Sequence, residues 1–146
     1  RSMKLAAFQK TLKAPKVYGS EEEGGLLVVG WGSTKGAIEE AVERCRRDGL
    51  KVSSLHIKYL QPMASGIREI LEKFDDVMTV EINYSDSYDD ELITADNRRY
   101  ANLAWLLRAR YLVDVDCWSN VHGQPIKPGS IEMMIRNRMG SAPKRG

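Results

Sequence analysis

The stretch Leu26-Leu27-Val28-Val29-Gly30-Trp31-Gly32-Ser33-Thr34-Lys35-Gly36 sets the architecture of the chain. Four consecutive aliphatic residues with no polar alternation suit a strand covered on both faces, as in the parallel sheet of an α/β domain. The run breaks at glycine and hands over at once to a helical pattern. Ile38, Ala41, Val42 and Cys45 recur at i, i+3, i+4 and i+7, while Glu39, Glu40, Glu43, Arg44 and Arg47 take the other side. The spacing predicts a helix over 35–48, capped by Ser33 or Thr34 and ended by Gly49. Such a junction leaves free backbone N–H groups at the positive end of a helix dipole, beside glycines that admit a ligand. Gly32, Ser33 and Thr34 are therefore anion-binding candidates.

The glycine spacing tests that idea. A dinucleotide fingerprint needs G-x-G-x-x-G, but Lys35 stands where the third glycine belongs and Gly36 comes one residue late. The acidic residue that would hold a ribose is also missing, because the next apolar segment, Lys51 to Tyr59, ends basic and aromatic. A phosphate-loop reading fares worse still, because no G-K-S/T follows the glycines at the required spacing, and no serine lies in a G-x-S-x-G elbow.

Outward from this centre the chain alternates strand and helix. Val17-Tyr18 reads as a short edge strand that the acidic turn 20–25 folds back antiparallel beside Leu26–Val29. Lys51 to Tyr59 is a second long strand closed by Pro62, and Ile67, Ile70, Leu71 and Phe74 mark a helix over 65–74. Val77 to Asn83 is a third strand. The stretch Tyr84 to Asn97 holds Asp86, Asp89, Asp90, Glu91 and Asp96 without periodicity; it lacks the EF-hand spacing and reads as a solvated surface loop. A helix over 98–111 carries Tyr100, Leu103, Ala104, Leu107 and Tyr111 on one stripe, broadened by Trp105 and Leu106. Leu112 to Trp118 alternates as a last strand, Gly123-Gln124-Pro125 makes a turn, and Ile131, Met134 and Ile135 mark a closing helix. The order predicts a three-layer α/β domain over 25–138 with a largely parallel sheet, a linker and edge strand over 1–24, and a loose tail over 139–146.

Composition bounds the function. The 146 residues suit one domain, and 22 basic against 20 acidic residues leave a net charge of +2, too little for a nucleic-acid or anionic-membrane field. The basic ends (Lys10, Lys13, Lys16; Arg136, Arg138, Lys144, Arg145) read as solvated tails. Cys45 and Cys117 lack C-x-x-C spacing and fall in apolar patterns, so they read as buried free thiols of a reducing cytoplasm, with no iron–sulfur ligand set. No run approaches a membrane span. Met stands at position 3 and not at 1, which reads as a fragment of a longer protein.

Candidate chemistry is sparse. His56 and His122 are the two histidines. His56 lies in a strand, where a hydrogen-bonded structural role competes with catalysis or metal ligation. Glu81 and Asn83 close the third strand, on the rim where an open parallel sheet receives ligands; their structural alternative is to bond the loop that starts at Tyr84. Residue by residue, this is an α/β domain without a self-sufficient active site or a metal site.

In order, Val29-Gly30-Trp31-Gly32-Ser33-Thr34, His56-Ile57-Lys58-Tyr59-Leu60-Gln61-Pro62, Val80-Glu81-Ile82-Asn83, Arg110-Tyr111-Leu112-Val113-Asp114 and Gly123-Gln124-Pro125 resemble the C-terminal domain of the α subunit of 2-oxoacid:ferredoxin oxidoreductases, the 2-oxoglutarate type above all. The resemblance spans about Gly24 to Ile135 and departs at Tyr84 to Asn97, where the family passes almost directly into the next helix. It implies a transketolase C-terminal-like fold, with a five-stranded mixed sheet and one antiparallel strand. It also implies that no cofactor binds this domain: thiamine diphosphate with Mg²⁺ and the iron–sulfur clusters would sit elsewhere in the complete enzyme. That enzyme would decarboxylate a 2-oxoacid oxidatively, pass the acyl group to coenzyme A and reduce ferredoxin. Gly32, Ser33, Thr34, His56, Glu81, Asn83, Gly123 and Gln124 then stand as anion-binding or interface candidates. The expected partners are the α subunit's own N-terminal domain and the β subunit. Trp105, Leu106 and Trp118 exceed what one sheet face should bury, so they mark a partner surface and predict a homodimer for the excised domain. The rival reading is a free-standing anion- or nucleotide-binding α/β module.

Overall fold

The computed structural model describes residues 14–20, 23–58, 64–81, 101–119 and 126–140. Five strands form one sheet: β1 (Val17–Tyr18), β2 (Leu26–Trp31), β3 (Val52–Ile57), β4 (Asp76–Glu81) and β5 (Asp116–Ser119), in the spatial order β1-β3-β2-β4-β5. Among the described residues four α-helices cover it: α1 (Lys35–Arg47), α2 (Ile67–Glu72), α3 (Asn102–Tyr111) and α4 (Pro128–Arg138). The helices fall on both faces of the sheet. The three-layer mixed α/β fold expected from the sequence is therefore the fold observed.

β2 sits at the centre, parallel to β3 on one side and to β4 on the other. Its unbroken aliphatic run serves both faces: Leu27 and Val29 join the cluster under α2 and α3, and Leu26 and Val28 join the cluster under α1 and α4. A strand with two parallel neighbours has no free edge, which corrects the expected hairpin. Val17 and Tyr18 do run antiparallel, but they pair with Leu55 and Ser54 of β3, at the edge of the sheet.

The last strand also begins later than its alternation suggests. Leu112 closes α3 in the left-handed region, with φ 56, and β5 starts only at Asp116. Arg108 explains the delay, because its guanidinium donates to the Asp114 carboxylate at 2.6 Å and to the Val115 carbonyl at 3.1 Å, holding this segment against α3. The helix start predicted at 98–100 and the acidic stretch 84–97 lie outside the described residues, as do 1–13 and 141–146. Arg136 and Arg138, expected in a solvated tail, instead belong to α4 and pair with Asp48 and Glu132 and with Asp76 and Asp116, because the closing helix packs back onto the sheet.

The chain leaves β2 through α1 toward β3 and leaves β4 through α3 toward β5. The two connections depart in opposite directions on opposite faces. A crevice therefore opens at the carboxyl ends of β2 and β4, the place where open α/β sheets receive their ligands.

Candidate functional site

The crevice is built from the residues that follow the central strand. Gly30 leaves room for two side chains of the turn and α1: a Cβ there would lie 2.3 Å from Ile38 Cδ1 and 2.7 Å from Thr34 Oγ1, so both would have to shift to admit it. Gly32 has a different reason, a φ of +72 in the tight turn Gly32–Thr34 that joins strand to helix. The expected cap on α1 does not form. The Thr34 hydroxyl turns back and donates to the Trp31 carbonyl at 3.1 Å, and neither the turn nor α1 has a side-chain cap among the described residues. The tight turn places Thr34 in helical geometry, where its hydroxyl reaches backward more readily than forward.

Across the crevice lies Glu81, with only 5% of its surface exposed. Its carboxylate faces the start of α3. It accepts the N–H of Leu103 at 2.6 Å, the N–H of Ala104 at 3.1 Å and the Thr79 hydroxyl at 2.7 Å. Helix α3 begins at Ala101, which has no side chain able to cap it. Glu81 thus supplies from β4 the anion that the helix start lacks, satisfying orphan N–H groups and facing the positive end of the dipole. Of a carboxylate's roughly four acceptor positions, three are taken by the described residues.

The resulting cavity holds about 240 Å³ and is lined by Trp31, Gly32, Ser33, Thr34, Val80, Glu81 and Leu103. It brings together four of the residues nominated from the sequence, Gly32, Ser33, Thr34 and Glu81. Trp31, 44% exposed at its mouth, went unnominated; its place between two glycines at a strand end was the available signal. His56 stands apart, in a shallow dip beside Lys35, Glu39 and Ser54. Its Nδ1 is buried without a partner among the described residues. Burial, with Lys35 nearby, pushes its pKa below 6.5. Asn83, His122, Gly123 and Gln124 lie outside the described residues.

The chemistry of this set is limited. A Mg²⁺-diphosphate group needs several converging oxygen ligands, and no three His, Cys, Asp or Glu side chains converge among the described residues. The described lining of this crevice offers one carboxylate, Glu81, to such a group. Cys45 and Cys117 are buried and not joined in a disulfide, and burial raises the Cys45 thiol pKa, away from thiolate reactivity. No described helix is long and apolar enough to cross a membrane. The residues nominated for a partner surface divide. Trp105 is 63% exposed on the outside of α3. Leu106 packs half-buried on the core of that face, and Trp118 packs on the core of the opposite face.

An open five-stranded sheet wound on both sides, with its crevice at the switch between β2 and β4, defines an α/β domain of the transketolase-like kind. The family model described as pyruvate:ferredoxin oxidoreductase core domain II matches residues 25–127, and the chain belongs to that family. The 2-oxoglutarate oxidoreductase subunit KorA of Mycobacterium tuberculosis is 35% identical over 111 residues, 76% of this chain and 14% of KorA. The α subunit of 2-oxoacid:ferredoxin oxidoreductase 1 of Aeropyrum pernix is 36% identical over 104 residues, 66% of this chain and 16% of that subunit. The chain thus spans only 14% and 16% of these relatives. Among solved structures, the 2-oxoglutarate:ferredoxin oxidoreductase of Magnetococcus marinus, with 2-oxoglutarate, coenzyme A and succinyl-CoA bound, matches 92% of this chain and 21% of its own at TM-score 0.75 and 23% identity. The α chain of a probable 2-oxoacid ferredoxin oxidoreductase from Thermoplasma acidophilum matches 86% of this chain and 97% of its own at 0.52 and 17%. A split gene transketolase, an inactive beta4 tetramer, matches 84% of this chain and 40% of its own at 0.51 and 14%. These three likenesses speak for the fold alone.

Proposed function

We propose that this chain is the structural and assembly domain, over about residues 25–138, of a 2-oxoacid:ferredoxin oxidoreductase α subunit, and that it has no catalytic activity of its own. The complete enzyme would convert a 2-oxoacid and coenzyme A to acyl-CoA, with reduction of ferredoxin in the cytoplasm. Thiamine diphosphate, Mg²⁺ and iron–sulfur clusters would be held by its other domains. The domain's neighbours would be the N-terminal domain of its own α subunit and the β subunit, and the excised domain would self-associate. One observation carries this reading. The acidic side chain at the switch-point crevice, where an enzyme of this architecture would keep a reactive group available, is bonded on both oxygens to α3 and Thr79. The test is deletion of the region matching residues 25–127 from a full-length relative such as KorA. Loss of α–β association together with activity is the expected result; an assembled, active enzyme would refute it.

The rival anion-binding module draws on one specific feature, the start of α1 without a side-chain cap beside the crevice. Thermal shift separates the two. A ligand at ~100 times its Kd adds about 2.7 kcal/mol, so an unmoved melting temperature with millimolar nucleotides, coenzyme A and phosphorylated metabolites removes the module's support.

A further inference from the structure

Strand β1 is held to the domain by side chains as much as by its own ladder. Only Val17 and Tyr18 pair with β3, opposite Leu55 and Ser54. Beyond that short ladder, side chains of β3 and α1 reach across to the segment. The Ser53 hydroxyl accepts the Ser20 N–H at 2.9 Å and donates to the Ser20 carbonyl at 3.0 Å, so one side chain takes both backbone groups of a residue that has already left the strand. The Tyr18 hydroxyl donates to Glu43 on α1 at 3.1 Å. Arg46, also on α1, donates to the Val52 carbonyl at 3.0 Å, and its guanidinium lies 3.3 Å from where a Gly19 Cβ would stand. Gly19 lets the chain fold closely over the serine: its φ is +115, and a Cβ there would lie 2.7 Å from Ser53 Oγ. The two sides of this joint differ in depth. Ser53 is 2% exposed, whereas Tyr18 lies on the surface and Val17 is only partly buried. None of the fully buried residues of either core cluster comes from 14–20, so both cores are complete without β1. An element that buries so little opens at a lower free energy than the domain as a whole.

We infer that β1 is a clasp: residues 16–20 open and close on the edge of β3 as a unit of their own, with the rest of the sheet intact, and the Ser53 hydroxyl is the pin that holds them shut. Closed, the clasp covers the edge of β3 that β2 does not, and an uncovered strand edge invites pairing with other chains. In the α subunit proposed above, the chain before the clasp would lead back toward the neighbouring domain, so the clasp would set how far a displacement on that side travels into this sheet. That use rests on the assembly reading, whereas the clasp itself does not.

Native-state hydrogen exchange and trypsin read the clasp directly. In the unmodified chain the Ser20 amide should exchange at a rate that low urea leaves unchanged, while amides of β2 such as Val28 exchange faster with each addition, because only they wait for an opening that exposes much surface. Trypsin should cut after the exposed Lys16 at a rate that follows the open population of the clasp. Ser53→Ala should raise both the Lys16 cleavage rate and the Ser20 exchange rate about tenfold or more. Gly19→Ala, made on the strap and outside the core, should do the same. Arg138→Ala, at the opposite side of the sheet, should lower the thermal melt and leave cleavage after Lys16 unchanged. Ser20 and Val28 amides that respond alike to urea would make β1 part of the global unit and end the proposal. Cleavage that Arg138→Ala speeds as much as Ser53→Ala would report overall stability and not a clasp. Cleavage unchanged in both Ser53→Ala and Gly19→Ala would strike Ser53 as the pin. None of these results touches the role within the larger enzyme, which the deletion above tests separately.

Discussion

Strand β4 carries a carboxylate at each end, and the two are held in opposite ways. At the carboxyl end, Glu81 is buried and bonded to backbone N–H groups and a hydroxyl, all uncharged donors. At the amino end, Asp76 receives both Arg138 Nε at 2.5 Å and Nη2 at 2.8 Å, while Arg138 Nη1 reaches Asp116 on β5 at 2.8 Å. The second cluster ties the last turn of α4 across the starts of β4 and β5. Its residues remain partly in water, with the Arg138 side chain 26% exposed. Burial works against the Arg138 charge, but the hydrogen bonds and charges of the two aspartates outweigh it and raise its pKa. The contrast locates the vulnerable joint of this sheet. The amino end is an ion pair with water close by. The carboxyl end, which borders the cavity, depends on one buried side chain replacing a missing helix cap.

The largest expected effect follows from that dependence. Glu81→Ala leaves two N–H groups and the Thr79 hydroxyl without partners and removes the anion from the start of α3, so it should destabilise by about 3–4 kcal/mol. Glu81→Gln keeps one acceptor and should cost about half as much. A denaturant melt of each checks this. A loss below ~1 kcal/mol for the alanine variant would mean that α3 is held by packing and not by Glu81.

Arg138→Ala should cost less, about 1–2 kcal/mol, because the pairs it breaks are partly solvated. Salt separates the two ends further. In 1 M NaCl, where the Debye length is ~3 Å, unmodified protein should lose part of the Arg138 contribution. Arg138→Ala should lose correspondingly less, and Glu81→Gln should keep the unmodified protein's salt dependence. Equal salt sensitivity in all three would erase the distinction between the two ends.

The smallest effect concerns His56, opposite Gly30 in the β2–β3 register. Its pKa is lowered in the fold, by burial first and by Lys35 next, with Glu39 acting the other way. The unfolded chain therefore takes up this proton more readily than the folded one. Stability attributable to His56 is complete above its ordinary value of 6.5 and falls as pH drops below it. Melts between about pH 7.5 and 5 should show a shallower acid slope for His56→Gln, by less than ~1 kcal/mol. An unchanged slope would mean that His56 takes up its proton equally readily in the folded and unfolded chains.

The sequence disclosed most of the architecture because its strands are strongly marked. Leu26–Val29 could serve only a strand buried on both sides, and Ile38, Ala41, Val42 and Cys45 are the buried face of α1 as read. Pairing was harder. Nothing local to Val17-Tyr18 indicates β3 over β2, since that choice depends on β4 filling the other side of β2. The alternation of Val113, Val115 and Cys117 with Asp114 and Asp116 imitated a longer strand, and only Arg108 reaching across shows why pairing begins at Asp116. At the crevice, Gly32, Ser33, Thr34 and Glu81 were readable as strand-end residues. Their roles were not, because Glu81 acts on N–H groups 22 and 23 residues further along the chain.

A domain that builds and does not catalyse should be inert when it is given everything the reaction needs. The decisive assay is viologen reduction by the isolated chain, supplied with 2-oxoglutarate, coenzyme A, thiamine diphosphate and Mg²⁺. The expected rate is indistinguishable from that of the mixture without protein. Steady 2-oxoacid-dependent reduction, abolished by Glu81→Gln in a variant that stays folded, would contradict the assembly role.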